Sequence, residues 1–237
     1  MWGAMRASGI TATCLLAGGL AGQVRAQVAA PVVYIGGSFQ IGQATGQFAD
    51  YVNLGWGAGG YVLYRPRGGP LGIRLGGMYL VYGSQTHRYP LVPGIAVDVT
   101  TRNQIAQFSL GPQLTLGRGA VRVYGFGTIG GSVFWTNSSV AGSDGNTQPF
   151  ASTTNYQDGT LSAEIGGGCQ VLLASRHVPI YADFGVRYLN NGRVTYVTRD
   201  GVTIDGNQLL VDPVDSKANL VVYHVGVTVG LPRRRGP

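Results

Sequence analysis

Eight segments of alternating polarity in this chain are joined by connectors that are by turns long and short, and this rhythm limits the fold more than any motif does. Taking Val33 to Ile41, Leu54 to Tyr64, Leu71 to Tyr82, Gln104 to Leu116, Val121 to Trp135, Leu161 to Leu173, Ile180 to Leu189 and Leu220 to Leu231 as strands leaves connectors of 12, 6, 21, 4, 25, 6 and 30 residues. A soluble sandwich has no reason to collect its tight turns at one end and its long loops at the other. An up-and-down barrel across a membrane does, with short periplasmic turns and longer extracellular loops.

The faces of the strands support this reading, because alternate residues of a strand point to opposite sides. Tyr223, Val225, Val227, Val229 and Leu231 form one apolar row, with His224, Gly226, Thr228 and Gly230 opposite. Leu71, Ile73, Leu75, Gly77, Tyr79 and Val81 lie against Gly72, Arg74, Gly76, Met78, Leu80 and Tyr82. Ile180, Ala182, Phe184, Val186 and Tyr188 lie against Tyr181, Asp183, Gly185, Arg187 and Leu189. Apolar rows suit lipid, where every backbone group must be paired within a closed ladder. Rows of glycine, hydroxyls and isolated charges suit a narrow interior, and Tyr64, Tyr82, Trp135 and Tyr188 are expected in the interfacial aromatic girdles. The fold class is therefore all-β, an eight-stranded antiparallel up-and-down transmembrane barrel.

Residues 1–26 are expected to be a signal peptide, with Arg6 in a basic region, an apolar stretch from Ile10 to Leu20, and Val24-Arg25-Ala26 before the cleavage point. The barrel domain is expected over 27–231, followed by a basic periplasmic tail over 232–237. Cleavage removes Cys14 and leaves Cys169, so no intramolecular disulfide forms. No later run of 18 apolar residues offers a helical span. The mature chain has 15 basic and 10 acidic residues, a net charge of +5, and no basic stripe that would serve a nucleic acid.

The chain resembles the small eight-stranded outer-membrane barrels of the OmpA and OmpX type. The resemblance rests on Val121-Arg122-Val123-Tyr124-Gly125-Phe126-Gly127-Thr128-Ile129-Gly130-Gly131, similar to a Tyr-x-Gly-x-Gly strand of that superfamily, and on the closing strand Tyr223 to Leu231. It implies residence in the cell outer membrane, contact with outer-membrane lipids, and the barrel assembly machinery as a partner. Members usually end on an aromatic residue, whereas here Leu231 is followed by Pro232-Arg233-Arg234-Arg235-Gly236-Pro237. The family's roles range over structural support, adhesion and resistance.

Few motifs suggest other chemistry. Gly125-Phe126-Gly127-Thr128-Ile129-Gly130 matches a dinucleotide fingerprint in letters, but the Ser-, Asn- and Gly-rich stretch after Phe134 cannot supply the helix that must follow. His87, His177 and His224 fall in a long loop, a short turn and the last strand, without metal-ligand spacing. No nucleophile and base can be paired, so neither enzyme activity nor a cofactor is expected.

The candidate site is a lumen charge network of Glu164, Arg187, His224, Arg74, Arg122 and Asp183. Counting from the strand ends puts Glu164, Arg187 and His224 in one layer, with Glu164 and Arg187 as a pair, and Arg74, Arg122 and Asp183 below. Two readings follow: a plug of salt bridges that rigidifies the lumen, or a gated ion path. The long loops could hold a surface ligand, since loops on a rigid scaffold commonly carry binding. Val194 to Thr198 and Val202 to Ile204 are expected as a hairpin turning at Arg199-Asp200-Gly201, and Ile95, Val97 and Val99 suggest a wall protruding past the membrane. Loop three, Thr136 to Thr160, reads as mobile. The functional expectation is a non-enzymatic protein of envelope structure or surface interaction; the alternative is a narrow porin-like channel.

Overall fold

In the computed structural model the described residues are 32–50, 52, 54–66, 69–92, 95–117, 119–142, 151–175, 178–205 and 208–231. The expected signal peptide and basic tail lie outside them. The strands are β1 (Val33–Thr45), β2 (Leu54–Tyr64), β3 (Leu71–Val92), β4 (Ile95–Leu116), β5 (Val121–Gly142), β6 (Ala151–Ala174), β7 (Ile180–Asn191), β8 (Arg193–Asp205), β9 (Gln208–Lys217) and β10 (Asn219–Leu231). Eight of them close a barrel in the order β1-β10-β7-β6-β5-β4-β3-β2, and β8 and β9 form a separate two-stranded sheet. Closure is antiparallel between the first and last strands, from Val33 opposite Leu231 to Thr45 opposite Asn219. That seam removes the free edges that an apolar environment could not satisfy.

Side chains alternate across the wall as the period of two requires. The outward set includes Ile35, Phe39, Trp56, Val62, Leu71, Ile73, Leu75, Phe108, Leu110, Val121, Val123, Ile129, Leu161, Ile165, Phe184, Val186, Tyr223, Val225 and Val227, which are all exposed. Every barrel strand contributes, so the apolar surface runs around the whole ring. Tyr64 and Tyr188 face outward near strand ends as expected of girdle residues. Tyr82 does not: it shares the inner row with Met78 and Leu80 and is buried.

The strands differ greatly in height. A span needs only about 9–11 residues, which β1, β2, β7 and β10 supply with little to spare. Strands β3, β4, β5 and β6 have 22, 22, 22 and 24 residues, so at about 3.3 Å per residue each is roughly 70–80 Å long. One side of the barrel thus continues as a tall four-stranded wall, paired through Arg88 opposite Asp98 and Ser139 opposite Thr100.

Two loop expectations are corrected here. Most of loop three is strand, because β5 reaches Gly142 and β6 starts at Ala151. Its hydroxyl-rich sequence suits a sheet wetted by solvent, where Thr101 and Ser138 hydrogen-bond across strands at 3.0 Å. In the last long connector the turn does not fall at Arg199-Asp200-Gly201. Those residues belong to β8, where the register shifts between Val197 and Val202, and the hairpin closes between Asp205 and Gln208.

Between β1 and β2 the short 3-10 helix Gly46–Asp50 turns Phe48 into the barrel mouth, where it is fully buried. Around it lie Ala44, Val52, Met78, Leu80, Tyr82, Ile105, Phe134, Leu189, Val194, Ala218, Leu220 and Val222. This apolar core fills the long-loop end of the lumen. At the opposite end the β4–β5 turn places Gly117 at φ 97° and Gly119 at φ 118°, a left-handed path that lets four residues reverse the chain.

Candidate functional site

Below the apolar core the lumen is polar, and the six charged residues picked from sequence all point into it. Arg74, Glu164, Asp183, Arg187 and His224 are buried, while Arg122 is partly exposed near the short-turn end. They do not form the two layers expected. Three groups are found instead.

The first is the pair Glu164 and Arg187, in ion contact at 3.2 Å with both side chains nearly inaccessible. The Arg187 Nε–H is not aimed at the Glu164 oxygen, so this is charge contact without an aligned hydrogen bond. Other groups complete the site. Ser109 and Thr128 donate to Glu164 Oε1 at 2.6 and 2.7 Å, and Arg187 donates to Gln40 Oε1 at 2.8 Å. Charges removed from water are tolerated only with such company.

The second group is centred on Asp183. Tyr61 and Thr228 each donate to its Oδ2 at 2.7 Å, Gln170 at 3.2 Å, and Tyr124 donates to Oδ1 at 2.7 Å. His224 belongs here and not with Glu164, its Nε2 being 3.6 Å from Asp183 Oδ1 and 2.9 Å from the Tyr124 hydroxyl. The reason is the stagger of a closed barrel: His224 sits opposite Gly185 and Gly226 opposite Asp183. Counting from strand ends ignores that stagger.

Gly185 makes the arrangement possible, because a Cβ there would lie 2.4 Å from His224 Cε1 and 2.7 Å from the Gly167 carbonyl oxygen. Moving the imidazole alone cannot relieve both contacts. Gly185→Ala is expected to lower stability by about 1–3 kcal/mol through overpacking, read from the urea midpoint of the folded barrel; an unchanged midpoint would show that the strands can part there.

Arg74 is joined to the Asp183 group through Tyr61. It lies between the rings of Tyr61 and Phe126, 3.7 and 4.4 Å from their centroids, and donates to Gln113 Oε1 at 2.8 Å. Cation–π contact of this kind is strongest where water is excluded. Arg122 forms the third group with Tyr34 and Tyr181, donating to the Tyr34 hydroxyl at 3.2 Å and lying 4.4 Å from the Tyr181 ring centre. Arg65, which sequence reasoning did not single out, joins it through the same hydroxyl at 3.5 Å. Its place, one residue past the end of β2, was the signal available.

The chemistry open to these groups is limited. A relay from carboxylate through imidazole to a hydroxyl needs its partners on opposite ring nitrogens. Here Asp183 and Tyr124 both meet His224 Nε2, and Nδ1 has no hydrogen-bond partner among the described residues. The Tyr61, Tyr124 and Thr228 hydroxyls are all directed at the Asp183 carboxylate. Among the described residues no group of three His, Cys, Asp or Glu side chains is placed to hold a metal ion.

Comparison with solved structures agrees with the closed ring. The outer membrane protein OprG from Pseudomonas aeruginosa aligns over 87% of this chain and 98% of its own, with 14% identity and a TM-score of 0.51. The fold is that of the small outer-membrane β-barrels. Ail, the attachment invasion locus protein of Yersinia pestis, matches 84% of this chain and 96% of its own at 13% identity and a TM-score of 0.41. Neisserial surface protein A matches 84% and 97% at 13% identity and a TM-score of 0.40. No protein-family model matches the sequence, and no curated protein does. The likeness to OprG is one of fold, at 14% identity.

Proposed function

We propose that this protein resides in the outer membrane as a non-enzymatic, non-conducting barrel that serves envelope structure or surface interaction through its tall extracellular wall. The observation that carries the reading is the filling of the lumen along its length. Phe48, Leu80, Ile105, Phe134, Leu189 and Leu220 pack the outer end at under 2% exposure, and the charged groups below are tied to one another. An eight-stranded barrel encloses a space that side chains can fill, so an ion would have to displace both the apolar core and a buried ion pair.

The outward apolar surface supports membrane residence, and the wall of β3 to β6 offers the largest area away from lipid. Planar-bilayer recording on the refolded full barrel tests the closed lumen. The expected trace has no resolved conductance steps, and Arg187→Ala leaves it closed because the apolar core remains. Discrete steps in the wild type would replace this reading by the narrow channel.

A further inference from the structure

The lumen holds more positive than negative charge, and the excess sits at one end. Both lumen carboxylates are already held in the deeper groups, Glu164 by Arg187, Ser109 and Thr128 and Asp183 by Tyr61, Tyr124 and Thr228. Arg65 and Arg122 remain at the short-turn mouth, turned inward.

There two cations meet over one neutral oxygen. Arg65 Nη1 and Arg122 Nη1 donate to the Tyr34 hydroxyl at 3.5 and 3.2 Å, so the two nitrogens are no farther apart than those distances laid end to end. The Arg65 and Arg122 guanidinium carbons lie 5.4 and 5.8 Å from the Tyr34 ring centre, and that of Arg122 lies 4.4 Å from the Tyr181 ring centre. Aromatic rings attract a cation and fix its place, but they bring no opposite charge to offset the repulsion between two of them.

The chain does not supply that charge at this end. Residues 65–70, 117–120 and 175–179, the three short connectors, contain no Asp or Glu, and neither do 27–32 before β1 or 232–237 after β10. Among the described residues Arg122 makes no ion pair, and its hydrogen bond goes to Tyr34. A guanidinium carries five N–H donors, so most of those on Arg122 are open. Arg122 is also partly exposed, which lets a ligand reach it from water.

We infer that the short-turn mouth of the lumen binds a small oxyanion of the phosphate class, held between Arg65 and Arg122. Two guanidinium groups this close match an anion that carries oxygens on opposite sides of one central atom, and their paired N–H groups fit phosphate oxygens as a fork. A spherical halide offsets the charge without using that geometry. A lipid headgroup would have to leave the outer surface and turn beneath the strand ends, because both arginines face the lumen. The site places ligand recognition at the end opposite the tall wall, and it requires no conduction.

The test uses the refolded full barrel in zwitterionic detergent micelles, where both mouths meet solution, titrated calorimetrically with inorganic phosphate and with sodium chloride of equal ionic strength. Wild type is expected to bind one phosphate per barrel and to show no such binding of chloride. Arg122→Gln should weaken phosphate binding at least about tenfold, the factor that one charge-assisted hydrogen bond supports. Arg122→Lys should recover part of the loss, since it keeps the charge without the fork. A second measurement needs no variant: phosphate should raise the urea midpoint of wild type above its value in chloride, because a ligand of the folded state stabilises it. Absence of phosphate binding in wild type, or equal affinity in folded Arg122→Gln, overturns the site. Displacement of bound phosphate by phosphatidic acid in the micelles also overturns it, giving the arginines to a lipid headgroup.

Discussion

Glu164→Ala is expected to lower the stability of the folded barrel by about 3–5 kcal/mol, the cost of leaving a buried charge without its partner. The loss falls on Arg187, which is 5% exposed and whose remaining polar contacts are Gln40 and the Met78 sulfur at 3.1 Å. Ser109 and Thr128 lose their common acceptor as well. The double variant Glu164→Ala/Arg187→Met should recover most of the loss, because a buried ion pair replaced by apolar side chains of similar volume is often no less stable. Urea unfolding of the refolded barrel measures both. A single-variant loss below about 1 kcal/mol would mean that water reaches Arg187, and the packed lumen would fail with it.

Much of the architecture was legible because a strand has only two faces. The split of β7 into Phe184 and Val186 outward and Asp183 and Arg187 inward follows from period two alone, and so does the outward row of β10. Residues on one wall could therefore be assigned to lumen or lipid without coordinates. Their neighbours across the lumen could not. Tyr61 on β2 meets Asp183 on β7 over a separation of 122 residues, and His224 meets Tyr124 over 100. Such contacts depend on tilt and stagger, which accumulate around the ring and leave no local trace in the sequence. Glu164 and Arg187 were paired on the same strand-end count that misplaced His224. They meet because β6 and β7 are adjacent, with Arg187 opposite Gly166 and Glu164 two positions along the same inner row. Gly166 has no side chain to intrude, and a Cβ there would sit 2.5 Å from that of Arg187.

The height of the wall was only half visible for a different reason. Above the lipid both faces of a sheet meet water, so alternation of polarity disappears and hydroxyl-rich strands read as loops. The Ile95, Val97 and Val99 pattern kept enough alternation to suggest a sheet, whereas Asn137, Ser138 and Ser139 on β5 kept none. What holds that part together is cross-strand pairing, including Thr86 with Thr100 at 2.9 Å and the Arg88–Asp98 ion pair at 3.0 Å.

The part of the lumen that sequence reasoning missed gives the second large effect. Phe48 sits in a connector and Val194 at the start of β8, both outside the eight barrel strands, so the lumen rows of those strands do not mark either as core. Phe48 is nonetheless fully buried, edge-on to Tyr82 with ring centres 5.5 Å apart and to Phe134 at 6.4 Å. Phe48→Ala is expected to cost about 3–5 kcal/mol, since the barrel wall is tied by its hydrogen-bond ladder and cannot collapse onto the space left behind. Phe48→Leu keeps most of the volume and should cost less than about 1.5 kcal/mol. The same urea titration separates the two. If both variants lose the same small amount, the turn carrying Phe48 does not close the barrel mouth, and the seal must come from Leu80, Ile105 and Phe134 on the wall itself. If only alanine is severe, the first long connector acts as a stopper, and the asymmetry of loop lengths has a structural use: length at the outer end lets a connector fold back into the lumen, which the short turns at the other end cannot do.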